Sequence, residues 1–378
     1  MQHTLFTLDT PAAIVSLPRM QRNIERMQRR ANALGVRFRP HVKTSKCAEV
    51  VAAQVAAGAT GITVSTLKEA EHFFGLGVTD ILYAVGMAPH RLGQVLDLRQ
   101  RGCALQILTD SVESARAIVE FGRTHGHAFE VLIEVDTDGH RSGIKPGEPA
   151  LLEVGQVLHV GGMRLAGVLT HAGSSYELDD ASAIAALAEQ ERAGCVLAAE
   201  RLRAAGLPCA VVSVGSTPTA LEAATLAGVT ELRAGVYVFF DLVMRNVGVC
   251  TADDLALSVL TTVIGHPVDK GWAIVDAGWM AMSRDRGTAK QARDYGYGQV
   301  CTVDGVPLEG YLLSGANQEH GILSRDGDPD ADIAARFPTG TRLRIWPNHA
   351  CATGAQFPSY EALSSNGTTL TWGRFHGW

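Results

Sequence analysis

The chain has 378 residues, 46% hydrophobic and 19% charged, with a formal net charge of −6, the balance of a globular protein that builds one large domain and a smaller one. Its Lys and Arg residues show no excess and no aromatic interleaving, which argues against a nucleic-acid partner and for a small molecule. No run reaches the roughly 18 apolar residues of a membrane span, "MQHTLFTLDTPAAIVSL" has no basic n-region, and the seven cysteines form no C-x-x-C pair, so a reducing, cytoplasmic setting is expected.

After a strand-like "PAAIVSL" and an amphipathic helix near residues 18 to 34, short apolar runs recur between helical stretches. They are "VRFRPHVK" (36–43), "GITVST" (61–66), "DILYAV" (80–85), "ALQILTD" (104–110), "FEVLIEVD" (129–136), "RLAGVLTHAG" (164–173), "AVVSVGS" (210–216) and "ELRAGVYVF" (231–239). Eight β-runs alternating with helices predict a parallel sheet closed as an α/β (β/α)8 barrel. From about residue 252, "LALSVLTTVIGH", "GWAIVDAG", "TRLRIW" and "TLTWGRF" are separated by turns rather than helices, predicting a mainly antiparallel β domain. The expected limits are 10–250 for the barrel and 251–378 for the β domain, with residues 1–9 assignable to either.

Chemistry in such a barrel sits at the C-terminal ends of the strands, and polar residues collect there. The first strand places Arg39, His41 and Lys43 at alternate positions. The fifth runs into "EVDTDGHRSG" with Arg141, and the sixth into "THAGSSY" with His171 and Tyr176. "GSTPT" (215–219) precedes a helix and has the geometry of a phosphate loop, although alone it reads first as an ordinary Ser/Thr cap. "AGVY" (234–237), from the next strand, is where barrels complete a phosphate site. Lys43, inward and beside other cations, is the candidate for covalent attack on a carbonyl. An amine, a phosphate loop and a barrel together point to pyridoxal phosphate, attached through its aldehyde and anchored by its phosphate.

In the second domain "PNHACATG" (347–354) places His349 and Cys351 two apart. Imidazole and thiolate suit zinc above other metals. "NQEHG" (317–321) is the other dense group of acid–base or metal-capable residues in this domain.

"RPHVKTSK" resembles the cofactor-lysine motif of fold-type III pyridoxal-phosphate enzymes, in particular the D-threonine aldolase and D-serine dehydratase family related to alanine racemase. "EVDTDGHRSG", "AGVLTHAGSSY", "VSVGSTPT", "RAGVYVFFD", "VDAGWMAMS", "QEHG" and "PNHACAT" carry the likeness over nearly the whole chain. "GSTPTA", "MSRDRGTA" and "PNHACATGAQFP" resemble the branch that dehydrates 3-hydroxyaspartate.

The resemblance implies that Lys43 holds the cofactor and that Gly215, Ser216, Thr217, Gly235 and Tyr237 bind its phosphate. It places Arg141 and Tyr176 at the ring, with His41 and His171 beside the cofactor and Arg39 and His41 orienting it. His349 and Cys351 become the metal ligands, for zinc first, with magnesium, manganese or cobalt as the other divalent ions. Aldolase members often have aspartate in place of Cys351, which moves the reading toward dehydration of a D-3-hydroxy amino acid: D-threo-3-hydroxyaspartate to oxaloacetate and ammonia. D-serine dehydration, aldol cleavage to glycine and an aldehyde, and a non-catalytic cofactor carrier are the alternatives. Arg284 and Arg286 are candidates for the substrate's β-carboxylate, with Gln318 and His320 as further substrate contacts. A homodimer is expected by resemblance.

Overall fold

The computed structural model describes residues 3–328 and 331–378. Residues 1 and 2, the first positions of the opening segment, lie outside the described residues. By its internal contacts the chain divides into two compact units. One comprises Glu25–Lys43, Val50–Gly235 and Gly377–Trp378; the other takes the opening of the chain as far as Ile24, Thr44–Glu49 and Val236–His376.

The first unit is an eight-stranded parallel sheet. Arg37–Pro40, Ile62–Val64, Asp80–Gly86, Ala104–Thr109, Glu130–Val135, Arg164–Thr170, Val211–Val214 and Glu231–Ala234 follow one another in chain order, and Glu231–Ala234 pairs back onto Arg37–Pro40. The sheet closes at His41, whose N–H donates to Ala234 O at 2.8 Å, while the next N–H, of Val42, donates to Thr63 O at 2.9 Å. All eight strands expected from the apolar runs are present. Helices follow the strands where side-chain caps start them: Thr66 accepts from Glu69 N, Ser111 from Ser114 N, and Asp180 from Ala183 N. Each satisfies an N–H that the first helical turn leaves without a partner.

Leu82, Leu108, Leu132 and Leu169 pack as one buried cluster with Ala84, Ala166 and Val211 against them. The interior beside the first and last strands is polar. Arg39, 3% exposed, donates from Nε to Glu231 at 2.7 Å and from NH1 to Asp80 at 2.9 Å. Ser213 Oγ donates to Glu231 at 2.7 Å and accepts from Arg233 Nε at 3.0 Å. Arg39 therefore does not orient a cofactor as expected. Its partners begin their own strands, so its guanidinium points away from the strand ends where Lys43 lies.

The second unit is a ten-stranded sheet. Leu257–Gly265, Ala273–Val275, Gly321–Arg325, Pro307–Ala316, Gly298–Thr302 and Arg342–Pro347 pair antiparallel in that order. Arg342–Pro347 returns to Leu257–Gly265, so these six form a closed ring. His3–Thr4, Thr368–Gly373, Ser359–Leu363 and Ala12–Ser16 extend the sheet from Leu257–Gly265.

The limits expected from the sequence, 10–250 and 251–378, differ from this division. Ala12–Ser16 belongs to the β unit because its backbone pairs with Leu257–Leu260, and the segment from Val236 onward clusters with that unit too. "NQEHG" forms the turn between Pro307–Ala316 and Gly321–Arg325, closed by Asn317 N–H to His320 O at 2.8 Å. Its carbonyls also receive the N–H groups of Trp279 and Met280. No helix among the described residues is long and apolar enough to cross a membrane.

Arg39→Met leaves the Glu231 carboxylate buried without its cation. The expected cost is about 3–5 kcal/mol in denaturant unfolding; a loss below about 1 kcal/mol would show that Ser213 alone satisfies Glu231.

Candidate active and metal sites

In the barrel unit, Lys43 follows the closing residue His41 directly after the seam, with its side chain exposed. Its backbone N–H donates to His41 Nδ1 at 3.4 Å, so that nitrogen is an acceptor. Burial lowers the His41 pKa well below its ordinary value, and the charges of Lys43, Arg233 and Arg141 add to the effect. His171 is held down to about 3 by burial first, then by the same three cations, against the hydrogen bond its Nδ1 makes with Gly215 O at 3.0 Å. Two neutral imidazoles thus share one space with three cations. An anionic ligand carrying an acceptor ring suits that field.

Arg141 is more than half exposed and reaches Glu134 at 3.3 Å, and Ser142 Oγ donates to the same oxygen at 3.1 Å. The Tyr176 ring lies 6.1 Å from that of His171. Gly215 adopts φ +133, and a Cβ there would stand 2.1 Å from Arg233 O, so no side chain fits. Its N–H donates to Glu191 at 3.0 Å, while the Ser216 N–H donates to Thr219 Oγ1 at 3.0 Å. The first amide is held by a helix outside the loop and the second within it, so Gly215 and Ser216 shape the loop. Ser216 caps the short helix Thr217–Glu222. Thr217 is fully buried beside it, and Gly235, half-buried, directly follows the next strand, Glu231–Ala234.

Two residues that the sequence reading passed over organise this unit. Glu191, 2% exposed on the helix Ala181–Ala204, accepts from Ala172 N at 2.9 Å, Gly215 N, and Thr219 Oγ1 at 2.7 Å. It ties the loop after His171 to the loop at Gly215. Arg233, buried between Ser213 and Thr170 O, supplies the charge beneath both histidines. Its signal was parity: in "ELRAG", Glu231 and Arg233 share the inward face.

The β unit holds the remaining residues. His349 and Cys351 flank the start of the short helix Ala350–Gly354. His349 Nδ1 lies 2.6 Å from Asp285 Oδ2. Burial favours the neutral ring, but the Cys351 sulfur, hydrogen-bonded to it, and the Asp285 and Asp241 carboxylates hold the pKa well above the ordinary value. Imidazole and thiol therefore point at one another, the arrangement two ligands of one ion require. Among the described residues no group of three or more His, Cys, Asp or Glu side chains is placed to hold a metal, so solvent or substrate would complete the shell.

Arg284 is exposed and lies over the Trp279 ring at 4.1 Å. Arg286 pairs with Asp294 at 2.9 Å, which commits its charge elsewhere. Gln318 and His320 are exposed on the turn described above. Tyr237, expected at the phosphate beside Gly235, falls within the β unit and is 1% exposed.

In the folded barrel unit His41 and His171 stay neutral, whereas unfolded histidines take up protons below about pH 6.5. Unfolding is then favoured as pH falls from that value toward about 3. Histidine-labelled NMR is expected to show neither ring titrating between pH 8 and 5; a midpoint near 6.5 for either would contradict the assigned environment.

The alanine racemase N-terminal domain family model matches residues 15–243, and the putative serine dehydratase domain matches 256–363. The D-threo-3-hydroxyaspartate dehydratase of Delftia sp. (strain HT23) is 72% identical over the full length of both chains, and its solved structure superimposes with a TM-score of 0.99 at 71% identity, covering 100% of each chain. A cysteine-to-alanine variant of that enzyme, solved in the metal-free form, gives a TM-score of 0.98 at 71% identity over 100% of both chains. D-threonine aldolase from Filomicrobium marinum gives 0.85 at 25% identity, covering 99% of this chain and 97% of its own. With both domain models matched and a full-length relative at this identity, the chain belongs to the fold-type III pyridoxal-phosphate enzymes of the D-threonine aldolase and D-serine dehydratase family.

Proposed function

We propose that the protein removes water from D-threo-3-hydroxyaspartate, giving oxaloacetate and ammonia. The observation that carries this reading is the full-length 72% identity to an enzyme of that name. The residues present fit the two groups the reaction needs. A side-chain-free turn at Gly215 against Arg233 O, and an amine next to His41, a ring on which Arg233 and Arg141 also act, suit a phosphate-bearing aldehyde, and an imidazole against a thiol suits zinc.

Lys43 would hold pyridoxal phosphate, with the loop 215–217 and Gly235 at its phosphate, and His349 with Cys351 would hold the divalent ion. When bound, the cofactor supplies a sink for the electrons of the α-carbon and the ion a Lewis acid for the departing hydroxyl. Lys43 Nζ accepts the α-proton. His41 and His171, kept neutral, add no positive charge to compete for the phosphate and leave a ring nitrogen able to accept a hydrogen bond. Arg284 is the candidate for the β-carboxylate, since its guanidinium is held by stacking and Arg286 is paired. The eliminated product hydrolyses in water to the keto acid. Assembly as a homodimer is part of the same reading.

Three incubations test this, with D-threo-3-hydroxyaspartate, D-serine and D-threonine, each with and without chelator. Chelator-sensitive ammonia and oxaloacetate from the first is expected; glycine with an aldehyde would identify an aldolase. Lys43→Ala is expected to lose the cofactor's visible absorption band and at least about 100-fold in turnover. Arg284→Leu is expected to cost about 10–100-fold on hydroxyaspartate, the worth of a charge-assisted hydrogen bond, with D-serine turnover unchanged. Equal losses on both substrates would remove Arg284 from the role.

A further inference from the structure

We infer that Asp285 and Thr44 are positioning residues that set how His349 and Cys351 present themselves to a metal ion, an inference that rests on the metal reading of that pair. The geometry is specific at both ligands. Asp285 Oδ2 stands 2.6 Å from His349 Nδ1. A carboxylate only accepts, so Nδ1 carries the hydrogen and the lone pair of a neutral ring is left on Nε2. A carboxylate in this position also raises the basicity of the ligating nitrogen.

Asp285 is itself held. Its Oδ1 accepts the Gly287 N–H at 2.8 Å, its own N–H donates to Ser283 Oγ at 3.2 Å, and its carbonyl accepts from Asn348 Nδ2 at 3.2 Å. A Cβ at Gly287 would come within 3.0 Å of Oδ1 and 2.8 Å of Val243. Ser283, 6% exposed, adopts φ 70 and ψ 167, a conformation costly for any side chain and kept only where its surroundings impose it. The backbone strain therefore lies at the base of the loop that aims Asp285.

On the other ligand, the Thr44 hydroxyl lies 3.2 Å from Cys351 Sγ, and Thr44 is fully buried. A metal-bound cysteine is a thiolate and can only accept, so there Thr44 donates. Thr44 is the residue after Lys43 in "RPHVKTSK", a position for which the motif alone offers no role. The main chain between the two ligands is pinned separately, by Ala350 N–H to Asp241 Oδ2 at 2.8 Å. Asp241, 1% exposed, follows Phe240, another residue at positive φ (49).

The test uses the cofactor-loaded protein with zinc and with cobalt. Zinc affinity is measured by competition with a chromophoric chelator, and the thiolate-to-cobalt charge-transfer band by absorption. Asp285→Ala is expected to weaken zinc about 10–100-fold, and Asp285→Asn less, because an amide oxygen still accepts from Nδ1. Thr44→Val is expected to move the cobalt band to lower energy, since the sulfur loses its donor, and Thr44→Ser to restore it. An unchanged cofactor band in each variant shows that the protein has folded. If Asp285→Ala does not fold, Asp285→Asn and Thr44→Val decide.

Zinc affinity within twofold of the unsubstituted protein for the Asp285 variants, with an unmoved cobalt band for Thr44→Val, overturns the inference. His349→Ala and Cys351→Ala separate the two levels. If they lose zinc while the Asp285 and Thr44 variants do not, only the positioning roles fall. If they retain it, the metal reading falls with them.

Discussion

Two backbone hydrogen bonds at the barrel seam determine where the chemistry of the first unit can occur. His41 N–H to Ala234 O and Val42 N–H to Thr63 O join the first strand to the last and to the second. Because closure uses successive residues, the chain leaves the sheet immediately afterwards, and Lys43 emerges at the mouth. A parallel barrel has no edge strand to leave unpaired. The position of the amine is therefore a consequence of how the sheet completes itself.

The same strand shows how a barrel interior accommodates charge. Arg39 is buried, but Glu231 and Asp80 neutralise it and Ser213 connects that pair to Arg233. Toward the mouth, Arg233, Arg141 and Lys43 act on His41 and His171 and add to the burial that keeps both rings neutral, while Glu134 reaches Arg141. Cationic side chains beside two neutral rings are where an anionic cofactor belongs. Glu191 stands behind this region and spends its acceptors on backbone and hydroxyl groups of the two loops. It fixes their shape while remaining shielded from the ligand space.

The β unit uses a different device. Its candidate metal pair comes from one short stretch, yet each side chain is oriented by a residue from a remote segment: Asp285 for His349 and Thr44 for Cys351. Positive-φ residues at Phe240 and Ser283 stand immediately before or two before the carboxylates involved. Such strain persists only when surrounding contacts over-determine it.

The sequence by itself determined the eight barrel strands, the antiparallel character of the second unit, Lys43 at a strand end and the His349–Cys351 pair. Apolar alternation and short-range spacing carry those features, and both are local. The motifs also extended the family likeness to nearly the whole chain. Tertiary structure alone decided which alternate residues were neutralised: "RPHVK" places three basic residues at alternate positions, but only the pairing of Arg39 with residues 41 and 192 positions away separates it from His41 and Lys43. The same holds for Asp285, hidden between two arginines that drew attention to themselves, and for Glu191, one carboxylate on a long helix. Ala12–Ser16 joined the β unit through hydrogen bonds to a strand that begins at Leu257. Partners this distant in the chain leave no periodic trace, because the pairing depends on closure of the sheets and not on neighbouring residues.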